Sequence, residues 1–186
     1  MKEYELLRAE ILEDYTHINQ YENLLYTVVA AILVFSLQSN WYLLCLIPYV
    51  VILPVFLIVM GIKSGICKIA TYMQAFLEGA DFNWETRHAY FDKTYIPGKQ
   101  GALKWRTHSQ YYLLSAICSL AAIYKILVSN YSVVGVCVRA IAVSIFTAFV
   151  FIVIFRNTLD YGKTKEKMLR HWRKVKEEMK SSGNNG

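Results

Sequence analysis

The sequence predicts an all-α polytopic membrane protein with four transmembrane helices in two hairpins, extended by cytosolic helices. Hydrophobic residues make up 55% of the 186-residue chain and gather in two blocks, residues 24–62 and 109–155. One membrane crossing needs about 20 mostly apolar residues, so each block is long enough for two crossings. A Ser-Asn pair lies near the centre of each block, at positions 39–40 and 129–130. Because Ser and Asn side chains bond to nearby backbone and favour turns, each block should be a helical hairpin.

Residues 1–23 predict an amphipathic cytosolic helix that continues, without Gly or Pro, into the first span. Apolar residues recur there at a spacing of three or four, and Asp14 is the one polar interruption of this face. The segment holds six acidic and two basic residues, a net charge of −4. Because a strongly polar stretch precedes the first span, we expect no cleaved secretory signal. The apolar face comprises Tyr4, Leu7, Ile11, Ile18, Tyr21 and Leu25.

Residues 63–108, between the two blocks, predict a cytosolic amphipathic helix followed by an irregular loop with a Pro-Gly turn at 97–98. The apolar face of this helix comprises Ile66, Ile69, Met73 and Phe76. The stretch "WETRH" is the densest polar and aromatic cluster in the loop, and it is a candidate interaction site for a cytosolic protein. Its candidate residues are Trp84, Glu85, Arg87 and His88.

Residues 156–186 predict a basic cytosolic helix with a disordered end. They hold nine basic and four acidic residues, a net charge of +5. This helix should pair with the acidic N-terminal helix and also attract anionic lipid headgroups. The basic residues alternate with acids and no stacking platform is evident, which argues against nucleic acid binding. A heptad face of Met168, Trp172, Val175 and Met179 makes Trp172 a further interaction candidate.

Lys and Arg residues set the expected orientation. They are frequent in residues 63–108 and 156–186 and absent from the two Ser-Asn turns. The N-terminus, the central segment and the C-terminus should therefore all lie in the cytosol, with the spans in a bacterial inner membrane.

Lys125 and Arg139 are the two charged residues of the apolar blocks, and they are the candidate pore or cavity residues. If the fourth span begins at Tyr131, Arg139 lies about 12 Å inside it, and an intramembrane Arg indicates a functional role by default. If the span begins near Ala140, both cations snorkel to the outer surface instead. The sequence leaves both interpretations open.

Sequence motifs for catalysis are absent, because the chain has no nucleophile elbow, phosphate-binding loop or zinc-protease signature. The pairs Glu85/His88 and Asp14/His17 have a spacing seen in metal-binding bundles, which leaves a small metal-dependent enzyme as a third hypothesis. These pairs provide too few carboxylates for a di-metal site, so we expect no metal and no cofactor. The four cysteines are scattered and predict neither a disulfide framework nor a zinc site.

The stretches "EYELLRAEI", "YMQAFLEG" and "FNWETR" resemble a group of uncharacterised small bacterial four-helix integral membrane proteins. That group carries an N-terminal helix of the YELLR type and a cytosolic motif of the WETR type. The resemblance implies an inner-membrane location and offers no catalytic residues. The architecture is also similar to that of membrane effectors from bacterial anti-phage systems, which implies a role in antiviral defence.

Two functional hypotheses follow. The leading one is a non-enzymatic, homo-oligomeric inner-membrane protein that forms or regulates a pore, with an anti-phage effector as one such protein. Four helices in one monomer leave little room for an aqueous lumen, so a pore would need self-association. The alternative is a membrane scaffold that recruits a cytosolic partner through its charged helices and residues 84–88.

Overall fold

A computed structural model shows an all-helical chain in which the described residues contain no strand. The described residues are 2–39, 41–77, 86, 108–129 and 131–183, with the backbone alone at 160–163 and 180–183. The described residues form four long α-helices, α1 (Lys2–Gln38), α2 (Pro48–Tyr72), α3 (Ser109–Val128) and α4 (Val133–Gly183). A 3₁₀ helix, Tyr42–Leu46, precedes α2, and a π-helical turn, Met73–Leu77, follows it. All four α-helices are long and apolar enough to cross a membrane, as the sequence predicts.

The helix breaks lie where the Ser-Asn pairs predict them. Helix α1 ends at Gln38 and α3 ends at Val128. Helix α1 also runs unbroken from residue 2 through the first apolar stretch, as the absence of Gly and Pro predicts. Pro48 opens α2, where its missing N–H costs little because the first N–H groups of a helix have no partner within it.

The chain divides into two compact units. We call the first the charged unit; it contains Met1–His17, Met60–Trp105 and Leu159–Gly186. We call the second the apolar unit; it contains Ile18–Val59 and Arg106–Thr158.

The apolar unit is built on a heptad pattern of buried side chains. On α2 and the 3₁₀ helix before it, Cys45, Tyr49, Ile52, Phe56 and Val59 are buried, and the buried positions of α3 from Tyr111 to Ile126 also recur every three or four residues. Steps of three or four residues keep one narrow seam of each helix turned inward. The opposite faces are open, with Val50 73% exposed and Leu120 65% exposed. Exposed apolar faces of this size suit contact with lipid.

Among the described residues of the charged unit, the end of α2 and the π-helical turn provide most of the buried side chains. Ile66, Cys67 and Thr71 on α2 and Met73 on the turn are buried. The predicted apolar face of the N-terminal helix is confirmed, because its members in this unit are less exposed than their neighbours. The predicted heptad face of the C-terminal helix is only partly correct. Trp172 is half-buried, whereas Met179 stays 63% exposed.

Candidate functional site

Arg139, one of the two predicted pore candidates, lies against aromatic rings at the start of α4. Its guanidinium carbon is 3.6 Å from the ring centroid of Tyr131 and 6.0 Å from that of Tyr42. Long side chains on a helix point back toward its N-terminus, which explains why Arg139 reaches a ring that precedes Val133, the first residue of α4. The side chain is half-buried.

Lys125, the second candidate, lies on α3 and forms hydrogen bonds at the C-terminal end of α1. Its Nζ donates hydrogen bonds to the carbonyl oxygens of Leu37 at 2.5 Å and Ser39 at 2.7 Å. The last carbonyl groups of a helix have no partner within it, so a lysine at this position satisfies groups that would otherwise need water. The ammonium is thereby bound to the backbone at the end of α1.

A pocket of about 220 Å³ adjoins the rings that hold Arg139. Trp41, Tyr42, Leu43 and Tyr131 line it. Amphipathic rings at a span end suit the membrane–water interface, where one side of a ring is apolar and the other is wet.

The interior of the apolar unit contains a polar cluster that the sequence analysis missed. Tyr49 is almost fully buried, and its Oη donates to the carbonyl oxygen of Ser115 at 2.7 Å. The same oxygen lies 2.5 Å from Ser119 Oγ, which lies 2.7 Å from Thr147 Oγ1. Ser115 Oγ is buried in the same region and has no hydrogen-bond partner among the described residues. A tyrosine in the middle of an apolar block was the one available signal for this cluster.

The charged unit contains an open groove of about 340 Å³. Three helices line it with aliphatic, aromatic and charged side chains. The lining residues are Leu7, Glu10, Asp14, Gly65, Lys68, Ile69, Tyr72 and Trp172. Asp14, the interruption of the predicted apolar face, therefore belongs to a groove that combines apolar surface with both signs of charge.

An aromatic cluster forms one wall of this groove. The rings of Tyr72 and Trp172 meet edge to face with their centroids 5.3 Å apart, and Phe76 stacks on Tyr72 at 5.0 Å. Tyr72 Oη donates to Glu3 Oε1 at 2.9 Å. This hydrogen bond to a carboxylate raises the pKa of the Tyr72 phenol above its ordinary value.

Lys176 explains why the predicted heptad face is only partly used. Its Nζ donates a hydrogen bond to the carbonyl oxygen of Ala75 and lies 5.7 Å from the centroid of Phe76. Ala75 lies in the π-helical turn Met73–Leu77, so the cation bonds to a carbonyl of this turn. The chain thus turns Lys176 inward, one position after Val175 of the predicted face.

The predicted loop candidates Trp84, Glu85, Arg87 and His88 lie outside the described residues. Thr86, between them, is described, and Gln74 Nε2 donates to its Oγ1 at 3.2 Å. Of the predicted interaction residues, the described part of the chain therefore includes Trp172, which lies in the groove.

The structure does not show the predicted pair Asp14/His17 as a pair. Asp14 lines the groove, whereas His17 Nε2 lies 3.7 Å from Glu13 Oε1 in an exposed contact. Among the described residues, no group of three His, Cys, Asp or Glu side chains is placed to hold a metal ion. Glu85 and His88, the other half of the hypothesis, are outside that part of the chain.

Comparison with protein-family models, curated proteins and solved structures finds no match to this chain. The resemblance to small bacterial four-helix membrane proteins therefore stays a prediction.

Proposed function

We propose that the chain is a membrane-anchored scaffold whose charged unit binds a cytosolic protein. In this proposal the four apolar helices form two hairpins in a bacterial inner membrane, and both termini lie in the cytosol. The observation that carries the proposal is the groove of about 340 Å³ in the charged unit, which apolar, acidic and basic side chains line.

The groove suits a short amphipathic segment of a partner protein. Leu7, Ile69 and Trp172 offer apolar surface for an anchoring side chain. Aromatic and aliphatic pockets of this kind provide most of the affinity in protein interfaces. The groove thus has both a place for an anchor and charges that fix its orientation.

Charge complementarity indicates a basic segment. Glu10 and Asp14 line the groove on α1, whose first 23 residues carry a net charge of −4. Lys68 is the single cation among the described residues of the lining. A partner helix with one apolar face and flanking Lys or Arg residues would match this arrangement, and opposite charges would steer its approach.

Site-specific photo-crosslinking in cells tests the proposal. A benzoylphenylalanine at Leu7 should give one discrete adduct, because Leu7 lines the groove. The same residue at Leu6 is the matched control, because Leu6 is 71% exposed on the same helix and is not among the groove-lining side chains.

The captured peptide decides the outcome. We expect mass spectrometry to identify a basic amphipathic segment, and a synthetic peptide of that sequence should bind the purified protein. Glu10→Gln combined with Asp14→Asn should weaken this binding about tenfold, which corresponds to about 1.4 kcal/mol. Equal adducts at positions 6 and 7, or a captured peptide whose binding ignores the two carboxylates, would contradict the scaffold.

A pore or regulated pathway is the second candidate, and a polar stripe on α3 favours it. Tyr111, Ser115 and Ser119 are buried on one helical face, four residues apart. At 1.5 Å per residue the stripe covers about 12 Å of the helix. Ser115 Oγ has no hydrogen-bond partner among the described residues. Polar groups inside a membrane bundle often mark a path for ions or water.

Ion flux from reconstituted liposomes separates the two candidates. A pore should release anions faster than empty liposomes do, because a cation at the lining favours anions. Arg139→Leu should then change this flux without preventing insertion. If the protein is a scaffold, the anion flux should equal that of protein-free liposomes, for both the wild type and Arg139→Leu.

A further inference from the structure

We infer that Arg139 and the rings around it bind the phosphate group of an anionic phospholipid at the end of the apolar unit where α4 begins. This inference is independent of what the charged unit binds, because it rests on residues of the apolar unit.

The guanidinium of Arg139 is oriented by aromatic contact and remains available for hydrogen bonding. A separation of 3.6 Å from the Tyr131 centroid places the face of the guanidinium on the ring. Stacking uses this face and leaves the N–H groups at the edge free to donate. Arginine presents five such donors in a fork that matches a phosphate with two parallel hydrogen bonds.

The protein itself provides no anion for this site within the spans. Residues 24–62 and 109–155 contain no Asp or Glu. Within the described part of the chain, the Arg139 guanidinium lies over the rings of Tyr131 and Tyr42 and next to Gly135, which has no acceptor side chain. Lys125 differs, because its ammonium already bonds to two backbone carbonyls. Arg139 is therefore the cation at this end with donor capacity to spare.

The position of Arg139 along α4 suits the headgroup level of a bilayer. It is six residues after Val133, about 9 Å along the helix. Its side chain points back to Tyr131, before the helix begins, so the charge returns to the level of the span end. A cation that snorkels in this way keeps its apolar stem in the hydrocarbon and places its head among the phosphates.

The neighbouring surface distinguishes a lipid from a free phosphate ion. Trp41 and Leu43 line the adjoining pocket of about 220 Å³ and are exposed. Val134 and Val138 on α4 are exposed as well. A ligand that joins a phosphate to hydrocarbon chains would fill both the cationic and the apolar part of this surface, whereas inorganic phosphate would use only the first.

Native mass spectrometry of the full chain in detergent tests the inference. The purified protein is titrated with phosphatidylglycerol and, separately, with phosphatidylcholine of the same acyl chains. We expect one phosphatidylglycerol to bind the wild type more tightly than any later one. Arg139→Gln should weaken this first binding about tenfold, because it removes a charge-assisted pair of hydrogen bonds.

Arg170→Gln is the matched control, since Arg170 is exposed in the charged unit and the charge change is the same. It should leave the first binding within about twofold of wild type. Tyr131→Leu keeps the cation and removes the ring on which it stacks. This variant should also bind the first phosphatidylglycerol more weakly, and it tests the site even if Arg139→Gln fails to fold.

Three results would overturn the lipid site. The first is an equal loss of affinity for phosphatidylglycerol in Arg139→Gln and Arg170→Gln, which would mean that only the net charge of the protein matters. The second is equal binding of phosphatidylcholine and phosphatidylglycerol. The third is displacement of the lipid by inorganic phosphate at an equal concentration, which would assign the site to a free anion.

Discussion

The apolar unit and the charged unit use their polar side chains in opposite ways. In the apolar unit, Tyr49 and Ser119 are buried and bond to each other and to backbone. In the charged unit, Glu10, Asp14 and Lys68 line an open groove.

This difference separates stability from recognition. Removing one partner of a buried hydrogen bond costs about 1–3 kcal/mol, because the other partner is left unsatisfied. A group that faces an open groove can be changed at little cost to folding and is accessible to a ligand. The two units should therefore respond differently to substitution.

The largest effect is expected at Tyr49. Tyr49→Ala leaves a cavity in the apolar unit and removes a hydroxyl from its polar cluster. We expect a loss of about 3 kcal/mol in the free energy of unfolding, as for other large aromatic truncations. Reversible unfolding in mixed SDS micelles, followed by circular dichroism, measures it. Val50→Ala is the control, because Val50 is 73% exposed and should change stability by less than about 0.5 kcal/mol.

The second effect concerns Trp172 in the charged unit. Trp172→Ala removes ring contacts with Tyr72 and Phe76, and we expect a loss of about 2 kcal/mol because the ring is only half-buried. Hydrogen exchange should show faster opening at the end of α2. Val175→Ala, on the same helix, should leave the exchange unchanged. A uniform change throughout the protein would mean that the two units do not unfold separately.

The third effect concerns Lys125. Lys125→Met keeps the apolar stem and removes the two bonds to the carbonyls of Leu37 and Ser39. We expect a loss of about 1 kcal/mol in the same micelle assay, since the group is partly exposed. Lys125→Arg should retain most of the stability. No loss in Lys125→Met would show that water replaces the ammonium without cost.

The smallest effect is expected in the groove. Glu10→Gln with Asp14→Asn should change the free energy of unfolding by less than about 0.5 kcal/mol, because both side chains line an open groove. The same pair should weaken partner binding, as proposed above. A stability loss above about 1 kcal/mol would assign these carboxylates to folding and would remove the contrast between the units.

Local sequence signals predict the helices well. The two Ser-Asn pairs locate the helix breaks, because turn formation depends on the few residues at the break. The continuity of α1 follows from the absence of Gly and Pro. The half-buried face of its first turns follows from apolar spacing, which depends only on helix periodicity.

The contacts between helices were less predictable. Lys125 bonds to the end of α1 because α3 packs beside it. No local sequence pattern encodes this packing. The tail shows the same limit, since Lys176 rather than Met179 turns inward to reach a carbonyl of the π-helical turn. Trp172 was found from its heptad position, whereas Glu10, Lys68 and Tyr72 became groove residues only through the packing of three helices.

The scaffold proposal depends on the membrane topology: the two Ser-Asn turns should lie on one side and both terminal helices on the other. Cysteine accessibility measures this topology most directly. In a cysteine-free background, single cysteines at Glu5, Ser39, Ser129 and Lys165 are treated in intact cells with a membrane-impermeant maleimide. The account predicts labelling at positions 39 and 129 from outside, and labelling at positions 5 and 165 only after the cells are opened. Labelling of positions 39 and 129 from opposite sides would contradict the two hairpins, and labelling of position 165 in intact cells would place the groove away from any cytosolic partner.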